Sequence, residues 1–248
     1  MKLDVLAIGS HPDDVELGCG GTVALLAQQG RKVGILHLTR GERGTRGTPE
    51  GRRQEAERAA EALGAAELAF LDCGDGALRA GEAEEDALIE VLRRFRPELV
   101  LGPTPRDRHP DHARSHQLVA ASCFYAGLAN RGPGGPPHRP AAVFSYMQHD
   151  PFDPTFIVDV TAVWERKMEA LAAYRSQLFQ PGAEKSPINK EEDGQPMTKV
   201  ASREFRLAVE GRARHFGLMI GAELGEPFWS RLPLAVGDLL TVLPGGLR

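Results

Sequence analysis

Three cysteines in 248 residues, Cys19, Cys73 and Cys123, are too few and too widely spaced for a disulfide framework. No Cys-x-x-Cys pair occurs, which excludes a thiolate zinc knuckle, and so sparse a set fits a reducing cytoplasm. No run approaches the ~20 apolar residues of a membrane span. Met1-Lys2-Leu3-Asp4 leads straight into a strand-like stretch rather than reading as a signal peptide. Basic charge is not in excess either. Thirty Lys and Arg stand against 34 Asp and Glu, a net charge of −4, which rules against a general nucleic-acid binder. A Gly-x-Gly-x-x-Gly turn after the first apolar run is also missing, so a nicotinamide-dependent oxidoreductase lacks its fingerprint. The later Gly18-Cys19-Gly20-Gly21 lies too deep in a helical stretch for that role and reads as close helix-to-sheet packing.

What is present is an ordinary globular composition, 42% apolar, on a chain long enough to bury a large core without staples. Apolar runs and helical stretches alternate through the first half. Strands are expected at Val5–Ile8, Val33–Leu38, Leu68–Leu71 and Leu99–Leu101. Helices are expected at Val15–Gln29, Pro49–Leu63, Glu82–Phe95 and Pro110–Leu128. This alternation predicts an α/β fold with a doubly wound, mainly parallel sheet covered by helices on both faces. The second half is less regular. It holds a Gly/Pro-rich loop at Asn130–Pro140, strands at Ala142–Tyr146 and Thr155–Val160, and helices at Trp164–Leu178 and Glu204–Ile220. The polar segment Gln180–Pro196 reads either as a disordered insertion or as a flap over a site. With no repeat and no clean boundary, residues 1–248 read as a single domain with a C-terminal elaboration.

Doubly wound sheets bind ligands beyond the carboxyl ends of their strands, where strand order reverses. In a 3-2-1-4-5 order that crevice lies between the first and fourth strands. The loops that follow those strands are Gly9-Ser10-His11-Pro12-Asp13-Asp14 and Pro105-Arg106-Asp107-Arg108-His109-Pro110-Asp111-His112, the richest concentrations of His and Asp in the chain. Histidines and carboxylates facing one crevice suit a divalent metal, which in a catalytic zinc site takes three protein ligands and leaves a position for water. The metal lowers that water's pKa and a neighbouring carboxylate takes its proton. Adjacent Asp13 and Asp14 allow one on the metal and one on the water. His109 could donate to an oxyanion, and Asp111 could hold that imidazole and favour its charged form. Taken singly, His-Pro-Asp is an ordinary turn and His109-x-x-His112 an ordinary helix start. His116 follows His112 by four residues but Ala113 breaks the His-Glu-x-x-His zincin pattern, so His116 reads as packed behind the site. His37, His138, His149 and His215 read as structural or surface residues.

These two motifs, with Gly18, Gly20 and Gly21, resemble the PIG-L/LmbE-like zinc-dependent N-acetylglucosamine deacetylases. The resemblance runs to about Phe228. It implies a Rossmann-like fold, one Zn2+ held by His11, Asp14 and His112, Asp13 as general base, and His109 as oxyanion donor or acid with Asp111 supporting it. It matches Arg52 to a substrate-contacting arginine, and Arg108 or Arg52 could supply a guanidinium fork for a substrate carboxylate. Pro154–Val160, Lys167–Gln177, Glu210–Gly217 and Gly225–Phe228 look most like the bacillithiol-biosynthesis branch, the N-acetyl-glucosaminyl-malate deacetylases. The alternatives are an inositol-linked or chitobiose-type substrate, or an inactive sugar-binding module. The implied partners are a small-molecule glycoside and further copies of the chain, commonly a hexamer, with no nucleic acid and no membrane.

Overall fold

The computed structural model describes residues 1–180 and 196–238. Strands β1 (Val5–Gly9), β2 (Val33–His37), β3 (Glu67–Phe70) and β4 (Leu99–Gly102) alternate with helices α1 (Asp14–Gln28), α2 (Pro49–Leu63), α3 (Glu82–Phe95) and α4 (Pro110–Tyr125). Then come β5 (Ala142–Tyr146), β6 (Phe156–Asp159), α5 (Trp164–Ala173), α6 (Arg203–Met219) and β7 (Gly225–Ser230). The seven strands form one sheet in the order β3-β2-β1-β4-β5-β7-β6. The first five positions are joined by parallel pairing, and β7 pairs antiparallel with both β5 and β6.

Side chains of a strand alternate between faces, and here both faces are buried. Val5 and Ala7 of β1 enter one core cluster with residues of α1, α2, α5 and α6. Leu6 and Ile8 enter a second cluster with residues of α3 and α4. The doubly wound α/β arrangement therefore follows from continuous apolar strands and one-faced helices. Helix α2 shows the local logic: Thr48 Oγ1 accepts from the Gly51 N–H, Pro49 opens the first turn, and Gly64 closes the helix at φ 75°.

Several expectations change at their ends. Helix α4 stops at Tyr125, not Leu128, and α5 stops at Ala173, because Tyr174 leaves helical geometry at φ −81°, ψ 63°. Strand β7 has no counterpart among the expected elements. Pro227 sits opposite Ile157 of β6, beyond the β5 pairing that covers Phe228 to Ser230, so its missing N–H interrupts no ladder on that side. The flap expected over 180–196 lies outside the described residues except at its two ends.

Helix α1 is broken at Cys19 (φ −143°, ψ 22°). The break frees a carbonyl and N–H groups that must find partners. Leu17 O accepts from Lys167 Nζ at 3.0 Å, while the N–H groups of Gly21 and Thr22 donate to Glu226 at 2.9 and 2.7 Å. A Cβ on Gly18 would lie 2.2 Å from the Tyr146 ring, and one on Gly21 would lie 2.8 Å from Val160. The glycines thus set how closely α1 lies on the sheet, and with it where Asp13 and Asp14 stand. Among the described residues no helix is long and apolar enough to cross a membrane.

Candidate metal centre and active site

Strand order reverses between β1 and β4, and the loops after them meet there. Asp13 lies at the N-cap of α1 with φ 104°, a left-handed backbone that costs a non-glycine residue energy. Its carboxylate makes no capping hydrogen bond, which leaves it facing the crevice. Asp14 Oδ2 accepts from the His11 N–H at 2.8 Å and lies 3.4 Å from His11 Nδ1. Asp14 Oδ1 lies 3.3 Å from His112 Nε2. His11, Asp14 and His112 are thus brought together, all buried.

The outer nitrogens of both imidazoles are occupied by carboxylates. His112 Nδ1 donates to Asp107 Oδ1 at 2.9 Å. His11 Nε2 is 3.2 Å from both Asp111 Oδ2 and Asp75 Oδ1. Metal-binding histidines characteristically donate their second nitrogen outward in this way, which fixes tautomer and ring orientation. With His11 Nδ1 and His112 Nε2 turned to Asp14, the donor set fits a divalent cation of borderline hardness. His109 also brings a ring nitrogen within 4.8 Å of nitrogens of His11 and His112.

The electrostatics follow from this crowding. Burial opposes the charge of His112, yet Asp14 and Asp107 outweigh it and raise the imidazole to about 9. Burial also opposes ionisation of Asp14, but His112 and His11 hold its carboxyl well below the usual range. For Asp13 burial wins over the pull of Arg52 and lifts the carboxyl to about 7. Asp107 is held low despite burial by the hydrogen bonds from His112 and two neighbouring N–H groups.

His109 is the N-cap of α4, its Nδ1 accepting from the Asp111 N–H at 3.2 Å. That fixes the neutral imidazole with its hydrogen on Nε2. Burial, then the neighbouring His11 and His112, lower its pKa. The expected pairing with the Asp111 carboxylate does not occur. Asp111 Oδ2 is committed to His11 Nε2 and to the Gly76 N–H at 2.8 Å, and Oδ1 meets Arg114 at 3.3 Å. The N-terminal turn of α4 points the Asp111 side chain back towards β1, so it supports the other histidine.

Arg52 is buried, its guanidinium donating to Pro12 O and lying 3.4 Å from Asp13 Oδ2. Its bonds hold the loop that carries Asp13 rather than reaching out of the crevice. Gly41 (φ 64°) makes room, since a Cβ there would sit 2.1 Å from Arg52 Nη1. Arg108 is exposed at the rim. His116 stays behind the site, with Nδ1 on Pro103 O at 3.0 Å.

Three contributors carry no assignment from sequence. Asp107 lies inside the second motif, yet its role appears only once it accepts from His112, His109, His149 and Asp150. Asp75 arrives from the loop after β3. Gln148, just past β5, donates to Asp14 Oδ1 at 2.6 Å. Of the three, Asp107 alone has a local signal, its place beside His109-Pro110-Asp111-His112.

A buried histidine–aspartate cluster at the switch point of a doubly wound sheet sits where such folds bind ligands and offers the donor types that hold a divalent metal. Residues 6–123 match the family described as PIG-L, GlcNAc-PI de-N-acetylase, and the chain belongs to that family. It is 36% identical to a diacetylchitobiose deacetylase of Thermococcus kodakarensis over 189 residues, 70% of each chain. It is 30% identical to a 4-oxalmesaconate hydratase of Pseudomonas putida, over 69% of this chain and 73% of the relative. A probable N-acetyl-alpha-D-glucosaminyl L-malate deacetylase of Bacillus cereus is 27% identical over 71% of this chain and 84% of its own. Among solved structures, the conserved protein TT1542 of Thermus thermophilus superposes with a TM-score of 0.82 at 36% identity, covering 94% of this chain and 97% of that one. The N,N'-diacetylchitobiose deacetylase of Pyrococcus horikoshii superposes with a TM-score of 0.76 at 27% identity, covering 92% and 83%.

Proposed function

We propose that this protein is a zinc-dependent amide hydrolase that removes the acetyl group from an N-acetylglucosamine conjugate. The observation that carries the reading is the orientation of His11 and His112: outer nitrogens on carboxylates, inner nitrogens facing Asp14, with Asp13 beside them and paired to Arg52 at 3.4 Å. His11, Asp14 and His112 would hold the metal, which when bound supplies Lewis acidity and a water acidified towards neutral pH. Asp13 is placed to act as general base, taking a proton from the water that attacks the acetamide carbonyl. The Nε2–H of His109 donates to the developing oxyanion as a neutral donor. The C–N bond then breaks, and the proton held on Asp13 passes to the leaving amine. Arg52 keeps the Asp13 loop in place throughout, and Arg108 at the rim is available to an anionic aglycone.

Within this class, the branch-like stretches 154–160, 167–177, 210–217 and 225–228 favour a glucosaminyl-malate substrate, while the 36% identity to a diacetylchitobiose deacetylase favours a disaccharide. The hydratase relative makes addition of water to a carbon–carbon double bond the competing chemistry. Acetate release from N-acetyl-glucosaminyl-malate, inositol-linked N-acetylglucosamine and N,N'-diacetylchitobiose, ranked by kcat/KM, tests the reading, with 4-oxalmesaconate as the control. Release from at least one glycoside is expected, and it should vanish in His112→Ala together with bound zinc. Turnover of 4-oxalmesaconate with no acetate from any glycoside would overturn it.

A further inference from the structure

The turn after β5 touches both halves of the site. Gln148 Nε2 donates to Asp14 Oδ1 at 2.6 Å. The next two N–H groups, of His149 and Asp150, donate to Asp107 Oδ2 at 2.9 and 3.3 Å. Asp107 Oδ1 in turn holds His112 Nδ1. A single turn therefore indexes Asp14, from the loop after β1, against His112, from α4.

The turn is itself anchored from α6. The Arg212 guanidinium donates to the Gln148 carbonyl and, at 3.2 Å, to Leu17 O, which lies one helical turn past Asp14. Gln148 is 4% exposed and its Oε1 has no hydrogen-bond partner among the described residues. A buried amide with an unpaired oxygen is unfavourable, so the residue is held for its donor end. The other oxygen of Asp14 accepts from the His11 N–H at 2.8 Å. One donor on each oxygen leaves the carboxylate a single orientation between the two imidazoles.

We propose that Gln148, seated by Arg212, is a positioning residue that fixes the Asp14 carboxylate and thereby sets how tightly the site holds its metal. The proposal rests on His11, Asp14 and His112 being the ligands. The test uses the full chain stripped of metal, with zinc affinity measured by competition against a chromophoric chelator. Gln148→Leu and Gln148→Met fill the space without the donor, and both should weaken zinc by roughly 10–100-fold, the range for residues that orient metal ligands. The metal-free Tm of these variants should stay near that of the wild type. Arg212→Met should weaken zinc in the same direction. The Gln148→Leu/Arg212→Met double variant should lose no more than the larger single loss, because the two act as one unit.

Wild-type zinc affinity in both Gln148 variants would overturn the proposal, as would additive losses in the double variant. His112→Ala separates the two levels. If it binds zinc like the wild type, the ligand assignment fails and the proposal with it. If it loses zinc while the Gln148 variants keep theirs, only the role of Gln148 fails. Should Arg212→Met not fold, the two Gln148 variants decide the matter alone.

Discussion

Two buried polar clusters lie within a few turns of each other and are built on opposite plans. Beneath α1, Glu226 accepts from Gly21 N, Thr22 N, Thr22 Oγ1 and Lys167 Nζ, and Lys167 also caps Leu17 O. Both carboxylate oxygens and the ammonium have partners there. At the carboxyl ends of β1 and β4 the reverse holds. Two carboxylates share His11 Nε2, both histidines crowd Asp14, and Asp13 has only Arg52. Nearby, both nitrogens of His37, Arg52 Nε and Glu16 Oε2 are buried without partners among the described residues. A fully satisfied network rigidifies a fold, whereas a crowded, under-satisfied one is where chemistry is done. The contrast separates the residues that keep α1 in place from those that α1 exists to present.

The sharpest way to break this comparison is at Asp13. Asp13→Asn keeps the size of the side chain and its place beside Arg52 but cannot accept a proton. Turnover should fall by about 10²–10⁴-fold, the usual worth of a general base, while zinc content stays stoichiometric. Parallel measurements of metal by elemental analysis and of acetate release decide it. Loss of metal together with rate would make Asp13, not its neighbour, the ligand.

The satisfied cluster should respond in the opposite currency. Lys167→Met strands the buried Glu226 carboxylate, and removing one partner of such a pair costs about 3–5 kcal/mol. For a chain of this length that lowers Tm by roughly 6–20 °C. Metal per folded molecule should not change. Lys167→Met/Glu226→Gln should recover part of the loss, because no charge is left unpaired. Thermal denaturation followed by circular dichroism reads both variants, and a wild-type Tm in Lys167→Met would show that the pair does not hold α1.

This division also explains what sequence can and cannot reveal. The two site loops are legible because their His and Asp residues are contiguous and each follows a strand of the parallel half. Helix α2 is legible to the residue because Thr48, Pro49 and Gly64 mark its ends locally. Strand β7 is not, since Pro227 escapes its usual penalty only because the pairing with the distant β5 ends at Phe228. Nothing local marks Glu226 as buried, because the N–H groups it accepts from are set free by a helix break about 200 residues upstream. Asp75 and Gln148 carry no motif, and their positions are set by where the loops after β3 and β5 end. Sequence puts the Asp111 carboxylate beside His109, whereas the structure puts it on His11, because chain proximity does not report which way the first turn of α4 points.

His109 gives a smaller effect of the same kind as Asp13. Its Nδ1 is spent on capping α4, so Nε2–H is the only donor it can offer. His109→Ala should leave zinc bound and KM nearly unchanged. It should reduce kcat by about 10²–10³-fold, the usual consequence of removing one oxyanion donor. His109→Gln, whose amide can still donate, should recover part of the rate. Unchanged kcat in His109→Ala would remove the oxyanion role.

Asp111 yields the smallest effect and the clearest separation of sequence proximity from structure. Were its carboxylate on His109, Asp111→Asn would lower the pKa of that imidazole and move the alkaline limb of the pH–rate profile downward. The structure puts Asp111 Oδ2 on His11 Nε2 and the Gly76 N–H instead, with Oδ1 towards the half-exposed Arg114. In Asp111→Asn the amide oxygen can take the Oδ2 position and accept from both donors, leaving the amide nitrogen beside Arg114. The two hydrogen bonds at the Oδ2 position are kept, while the charge and the contact with Arg114 are lost. His11 becomes a somewhat weaker ligand, so zinc affinity should fall by about tenfold, the low end for such partners. At saturating zinc, kcat should stay within a few-fold of wild type, and the alkaline limb should not move. Asp111→Leu, which removes the acceptor as well, should weaken zinc further. A shifted alkaline limb with unchanged zinc affinity in Asp111→Asn would return the carboxylate to His109 and make the link to His11 incidental.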